Sequence, residues 1–156
     1  MAPFVNGLIA RGVAASAIDL PRRKAEDALP AFYQAVPNGR DVVVGGHSYG
    51  GRVASLAAAE PAADYGGLVL FSYPLHPPGK PERTEARIAH WATIRCPVLI
   101  LSGESDPFAR IALLRAAVPL LERGELVTFP RLGHTLRPVL DDVLDRVAAF
   151  VGGLAS

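Results

Sequence analysis

The sequence predicts an α/β domain: a mainly parallel sheet of about five strands with helices on both faces. Two observations carry this expectation. Short apolar runs alternate with longer segments of helical periodicity along the whole chain, and the runs are continuously apolar rather than alternating with polar residues. Strands of that kind need cover on both faces, as in a parallel sheet between helix layers. No repeat, linker or low-complexity stretch interrupts the 156 residues, so residues 1–156 are read as a single domain, long enough to bury a core.

Each element has its own signal. Phe4, Val5, Leu8 and Ile9 fall at helical spacing, and Gly12 is a C-terminal stop. Residues 13–18 read as a short buried strand closed by Asp19-Leu20-Pro21. Residues 22–36 read as a helix with Ala25, Ala28, Phe32 and Ala35 on one face; Pro30 requires it to start late or to kink. Pro37-Asn38-Gly39 is a turn, residues 41–44 a strand, and residues 52–59 an alanine-rich helix stopped by Glu60-Pro61. A strand at 67–71 opens into residues 72–81, too rich in proline for regular structure. A modest helix at 84–93, a strand at 97–101, a helix at 111–121 and a strand at 126–129 follow. Residues 131–134 are loop, and an amphipathic helix over 139–151 closes the pattern.

Composition narrows the function classes. A formal charge of +1 provides no field to attract nucleic acid or acidic lipid. Half the residues are apolar, which argues against disorder, yet no apolar run approaches bilayer length. The N-terminus lacks a basic segment followed by an apolar one, so no signal peptide is expected and the location is read as cytoplasmic. Cys96 is the sole cysteine, which excludes an internal disulfide and a cysteine-rich zinc site. The four histidines show no metal-ligand spacing, and no cofactor is expected.

The chemistry centres on Val42-Val43-Val44-Gly45-Gly46-His47-Ser48-Tyr49-Gly50-Gly51-Arg52. A β-branched run entering Gly-x-Ser-x-Gly and then a helix is the layout of a nucleophile elbow, in which a sharp turn presents the serine at positive φ. Glycines at 46 and 50 are expected to remove Cβ atoms that would collide where the chain passes close to itself. The lysine of a phosphate-binding loop is absent, which sets nucleotide binding aside. Ligands of a parallel sheet collect at the carboxyl ends of its strands. Ser48, Asp106 and His134 each follow a predicted strand there. A serine hydroxyl needs an imidazole to take its proton, and the imidazole needs a carboxylate to hold its tautomer. Ser48 is therefore the candidate nucleophile, His134 the base and then acid, and Asp106 the orienting group. Asp106 also suits a helix cap, a role compatible with catalysis, and Glu104 is the fallback carboxylate. The Tyr49 amide is the candidate oxyanion donor. Tyr73 and His76, on the proline-rich loop, are candidates for touching substrate, with a solvated loop position the competing reading for His76. His47 is expected to shape the elbow, and His90 to pack or lie at the surface.

Gly45-Gly46-His47-Ser48-Tyr49-Gly50-Gly51-Arg52 together with Tyr73-Pro74-Leu75-His76-Pro77-Pro78-Gly79-Lys80-Pro81-Glu82 resembles a particular α/β-hydrolase-like group. That group contains bacterial dienelactone-hydrolase-related proteins, the hydrolase-like domain of a subunit of the NSL chromatin acetyltransferase complex, and testis-expressed relatives. Ser102-Gly103-Glu104-Ser105-Asp106-Pro107-Phe108 resembles the group's acid loop. The resemblance spans Ala2 to the final helix and implies an alpha/beta-hydrolase-like fold lacking its N-terminal strands. Family members open with a strand ending in a His-Gly-Ala-Gly-like motif that supplies one oxyanion amide. Here Met1-Ala2-Pro3-Phe4 resembles the helix after it, so Met1 is expected to be internal to a longer chain. The absent strand lies, in this fold, between residues 13–18 and 41–44, so the sheet is expected to show a gap or a re-paired edge.

The candidate triad and the resemblance together imply a serine hydrolase acting on a small-molecule carboxylic ester or thioester through an acyl-enzyme. The segment between the strands at 67–71 and 97–101 is too short for a large cap domain, so an open site edged by residues 73–81 is expected. A hydrolase-like interaction module with little or no turnover, engaging a partner protein, is the alternative. A cofactor-free perhydrolase is the weaker one.

Overall fold

The computed structural model describes residues 1–154. In chain order its elements are helix α1 (Ala2–Ile9), α2 (Leu29–Ala35), strand β1 (Val43–His47), α3 (Tyr49–Ala58), β2 (Gly67–Phe71), α4 (Thr84–Ile88), β3 (Val98–Gly103), α5 (Ile111–Ala117), β4 (Gly124–Phe129) and α6 (Leu140–Leu154). The strands form one parallel sheet in the order β1-β2-β3-β4, with Val44 opposite Leu68, Leu70 opposite Ile100 and Leu101 opposite Val127. Every residue of β2 and β3 is buried, while β1 and β4 are partly exposed at the edges.

The period-2 alternation of a strand explains the two cores. Leu68, Leu70, Val98 and Ile100 face one side, where Phe32, Val53, Ala57, Trp91 and Leu114 cover them. Val69, Phe71, Leu99 and Leu101 face the other, against Phe4, Val143, Leu144 and Val147 from α1 and α6. Truncating a fully buried leucine such as Leu70 to alanine costs about 2–5 kcal/mol in such a setting. Both apolar faces are filled, which is why β2 and β3 could not afford polar residues at alternate positions. Among the described residues no helix is long and apolar enough to cross a membrane.

Proline sets where two helices begin. Pro3 and Pro30 each lie in a first turn, where a missing N–H costs no intrahelical bond. Pro30 therefore makes α2 start late, after a 3-10 turn over Ala25–Ala28, rather than kink.

One expected strand is absent. Residues 13–18 carry no regular secondary structure, and the sheet has four described strands instead of about five. Ile18 and Leu20 pack against the α2–α3 side of the core without joining the sheet. The physical reason is pairing: an apolar run becomes a strand only beside another, and β1 bonds to β2 on one side with no described strand on its other. Neither a gap nor a re-paired edge is seen among the described residues: the sheet ends at β1.

Candidate active site

Ser48 sits between the last residue of β1 and the first of α3, at φ 52° and ψ −114°. A non-glycine residue at such angles costs on the order of 1–3 kcal/mol and persists only where its surroundings hold it. Here the Ser48 N–H donates to the Phe71 carbonyl at 2.8 Å, extending the β1–β2 ladder by one bond beyond its paired residues. The turn is tight because the chain folds onto itself. A Cβ on Gly46 would strike the Gly50 backbone, and one on Gly51 would lie 2.8 Å from the Gly46 carbonyl oxygen. Gly50 is different: a Cβ there meets nothing within 4 Å. The close approach is thus between Gly46 and the Gly50–Gly51 peptide; position 46 needs its glycine as expected, whereas a Cβ on residue 50 would point away from the contact.

Asp106 follows β3 on the turn Gly103–Ala109. Its Oδ1 accepts the Phe108 N–H at 2.9 Å and its side chain is wholly buried. The cap residue of α5 is Arg110, so Asp106 braces its own turn and not that helix. The other oxygen, Oδ2, lies 2.8 Å from His134 Nδ1, and His134 Nε2 lies 3.0 Å from Ser48 Oγ. An ionised carboxylate can only accept, so Nδ1–H donates to it and the Nε2 lone pair faces the serine hydroxyl. The structure therefore brings Ser48, His134 and Asp106 into one hydrogen-bonded line at the carboxyl ends of β1, β3 and β4.

Several backbone contacts hold the histidine in this line. Glu104 N–H donates to the Phe129 carbonyl and Ser105 N–H to the Leu132 carbonyl, both at 2.9 Å. Gly103 permits this approach, since a Cβ there would collide with the Leu132 carbonyl oxygen. His47 Nε2–H donates to the His134 carbonyl at 3.2 Å, and burial, its largest influence, lowers the His47 pKa. The Phe108 ring lies 4.4 Å from the His134 ring. Sequence reasoning assigned no role to Gly103 or Phe108; their signal, adjacency to the acid, became legible only once the two loops were seen to touch.

Tyr73 and His76 are both buried and engaged within the protein, so neither is a solvated loop position. Tyr73 is fully buried, donates its hydroxyl to the Arg87 carbonyl at 2.6 Å and packs edge-on to Trp91. His76 is only 3% exposed: Nδ1–H donates to the Pro77 carbonyl and Nε2 accepts the Arg110 N–H at 3.0 Å. Buried polar groups need partners, and these two side chains find theirs mainly on segments outside the loop, at Arg87 and Arg110. Glu104 accepts the Thr128 hydroxyl at 2.9 Å, away from the imidazole. His90 Nε2 lies 2.8 Å from Ser55 Oγ, and burial lowers its pKa to about 4. A cavity of about 410 Å³ opens beside Ser48. A larger one of about 690 Å³ lies near the starts of β2 and β3, remote from this chemistry.

A parallel sheet covered on both faces, with a strained serine between its first strand and the following helix, defines the class of the α/β hydrolases. Residues 20–150 match the family described as the alpha/beta hydrolase domain, and the chain belongs to that family. No curated protein matches the chain. Among solved structures it resembles the monoacylglycerol lipase of Paleococcus ferrophilus, at 13% identity and a TM-score of 0.80, covering 97% of this chain and 88% of that one. It also resembles the dienelactone hydrolase of Anabaena variabilis, at 24% identity and a TM-score of 0.55 over 70% of this chain and 47% of that one. Arabidopsis thaliana SOBER1 aligns at 18% identity with a TM-score of 0.63, covering 88% of this chain and 68% of that one. At these identities the likeness concerns the fold.

Proposed function

We propose that this protein is a serine hydrolase that cleaves a carboxylic ester or thioester through an acyl-enzyme. The observation that carries this reading is the line from Ser48 Oγ through His134 to Asp106, at 3.0 and 2.8 Å. In the first half-reaction Ser48 Oγ attacks the carbonyl carbon while His134 Nε2 takes its proton, and the resulting imidazolium returns it to the departing alcohol or thiol. In the second, water attacks the acyl group, His134 takes its proton, and Ser48 leaves with that proton restored. Asp106 keeps Nδ1 protonated and stabilises the imidazolium. Tyr49, the first residue of α3, supplies an amide without an intrahelical partner to the oxyanion.

A fluorophosphonate probe tests the reading directly. Labelling of wild-type protein at Ser48, lost in Ser48→Ala, is expected; a folded protein that stays unlabelled and inert toward p-nitrophenyl esters refutes turnover and leaves the interaction module.

A further inference from the structure

The cavity beside Ser48 has an unbalanced charge. Arg23, Lys24, Arg52 and Arg87 line it, against Glu26 as its one carboxylate. They come from three separate places: the turn before α2, the first turn of α3, and α4. Arg52 lies four residues beyond Ser48, so it rises from the same side of the helix that carries the nucleophile. Its side chain is only 18% exposed; one nitrogen reaches Glu26 at 3.2 Å, while Nε is buried with no hydrogen-bond partner among the described residues. Glu26 itself is 59% exposed, and solvent screens what it can offset. Arg87 donates from Nη1 to the Pro74 carbonyl at 3.1 Å and has no ion pair among the described residues. Burial first, and the charge of Arg52 second, lower the Arg87 pKa. A basic face built only for solvation would turn its guanidiniums outward. Here two of them converge, half-buried, on the space beside the nucleophile.

We propose that this cavity receives the anionic end of the substrate: an ester or thioester bearing a carboxylate or phosphate group, gripped by Arg52 and Arg87 while its carbonyl faces Ser48. The ester part of this inference rests on the hydrolase reading above; the anion part is measurable without it. Planar guanidiniums match such groups with paired hydrogen bonds, and their mutual repulsion is relieved when the anion arrives.

Two measurements on the full chain test it. The first is melting temperature with inorganic phosphate or adipate against chloride at constant ionic strength. Both oxyanions raise the melting temperature of wild type, and Arg87→Gln abolishes the rise. The second compares kcat/KM for matched esters: p-nitrophenyl monoadipate against p-nitrophenyl hexanoate for an anion on the acyl side, and 4-butyryloxybenzoate against phenyl butyrate for one on the leaving group. The anionic member of one pair is preferred by about 10- to 100-fold, the scale of one charge-assisted contact. Arg87→Gln erases most of that preference, Arg87→Lys restores part of it, and Glu26→Gln, which frees Arg52, increases it. Turnover of neutral esters with no preference in either pair overturns the substrate class, whatever the melting curves show. Absence of ester turnover and of fluorophosphonate labelling defeats the hydrolase reading instead. In that case, a melting temperature indifferent to both anions overturns the anion site as well.

Discussion

Replacing Asp106 by asparagine probes the proposed proton path at its most constrained point. The two carboxylate oxygens have different duties: Oδ1 accepts the Phe108 N–H at 2.9 Å and Oδ2 faces His134 Nδ1 at 2.8 Å. An asparagine amide has one acceptor and one donor end, and the Phe108 N–H claims the acceptor. The NH₂ end must then face the histidine, which obliges Nδ1 to accept and moves the ring proton to Nε2. Nε2 would present a hydrogen to Ser48 and could no longer receive one. The wrong tautomer in a Ser-His-Asp arrangement costs on the order of 10⁴-fold in kcat, about 5.5 kcal/mol of barrier. Steady-state turnover of a p-nitrophenyl ester, with the rate of fluorophosphonate labelling beside it, measures this. Circular dichroism melting checks that the variant is folded, which is expected because both hydrogen bonds keep a partner. Glu104→Gln, at a side chain whose hydrogen bond and ion pair among the described residues are to Thr128 and Arg115, is the control and stays within about threefold. A folded Asp106→Asn protein within tenfold of wild type would refute the assignment of Asp106.

Ser48→Ala eliminates ester turnover and labelling while leaving the melting temperature within a few degrees, because among the described residues the hydroxyl bonds to the His134 ring alone; differential scanning calorimetry and the ester assay together decide it. Gly46→Ala destabilises by about 3 kcal/mol or more through overlap with the Gly50 backbone, whereas Gly50→Ala is tolerated and gains up to about 1 kcal/mol of helix propensity; equal melting temperatures for the two would contradict the geometry of the turn. The pKa of His90 is lowered from 6.5 to about 4, so the unfolded chain takes up this proton first. Its contribution is therefore complete above about pH 6.5 and is lost as pH falls toward 4, on the order of 1–2 kcal/mol after allowance for solvent screening of a partly exposed ring. Urea denaturation of wild type and His90→Gln across that window should diverge, and parallel curves would disprove the claim.

Much of the fold was legible because its signals are local. The apolar runs of β2, β3 and β4 are bounded by glycine, proline or charge, and the elbow announces itself by residue type at fixed spacing. The line of Ser48, His134 and Asp106 was legible for a related reason, each residue following a strand whose end could be read. What escaped depends on partners distant in sequence. Residues 13–18 have the composition of a strand, but strand formation needs a neighbour that composition does not reveal. Glycines 46, 50 and 51 look alike in the sequence, and only the path of the chain distinguishes the pair that nearly touches from the one facing open space. Tyr73 and His76 carry polar groups that suggest ligand contact; their carbonyl and amide partners lie on Arg87, Pro77 and Arg110, and two of those three are remote in sequence. Phe108 and Gly103 matter because one loop rests on another, a relation without any sequence signature.

The fastening of residues 129–134 is made largely through carbonyl oxygens: those of Phe129, Leu132 and His134 each receive a hydrogen from a neighbouring segment. Carbonyl oxygens are present whatever the side chain. Replacements at the exposed Pro130 can therefore change the bulk and polarity of this rim without disturbing the bonds that aim the imidazole, whereas Leu132 also packs on the core beneath. Gly103, which must admit the loop, and Arg131, held at φ 57°, are more tightly constrained. The arrangement separates the part of the loop that can diversify from the part that must stay still, so this rim can be re-engineered while the alignment of His134 is inherited unchanged.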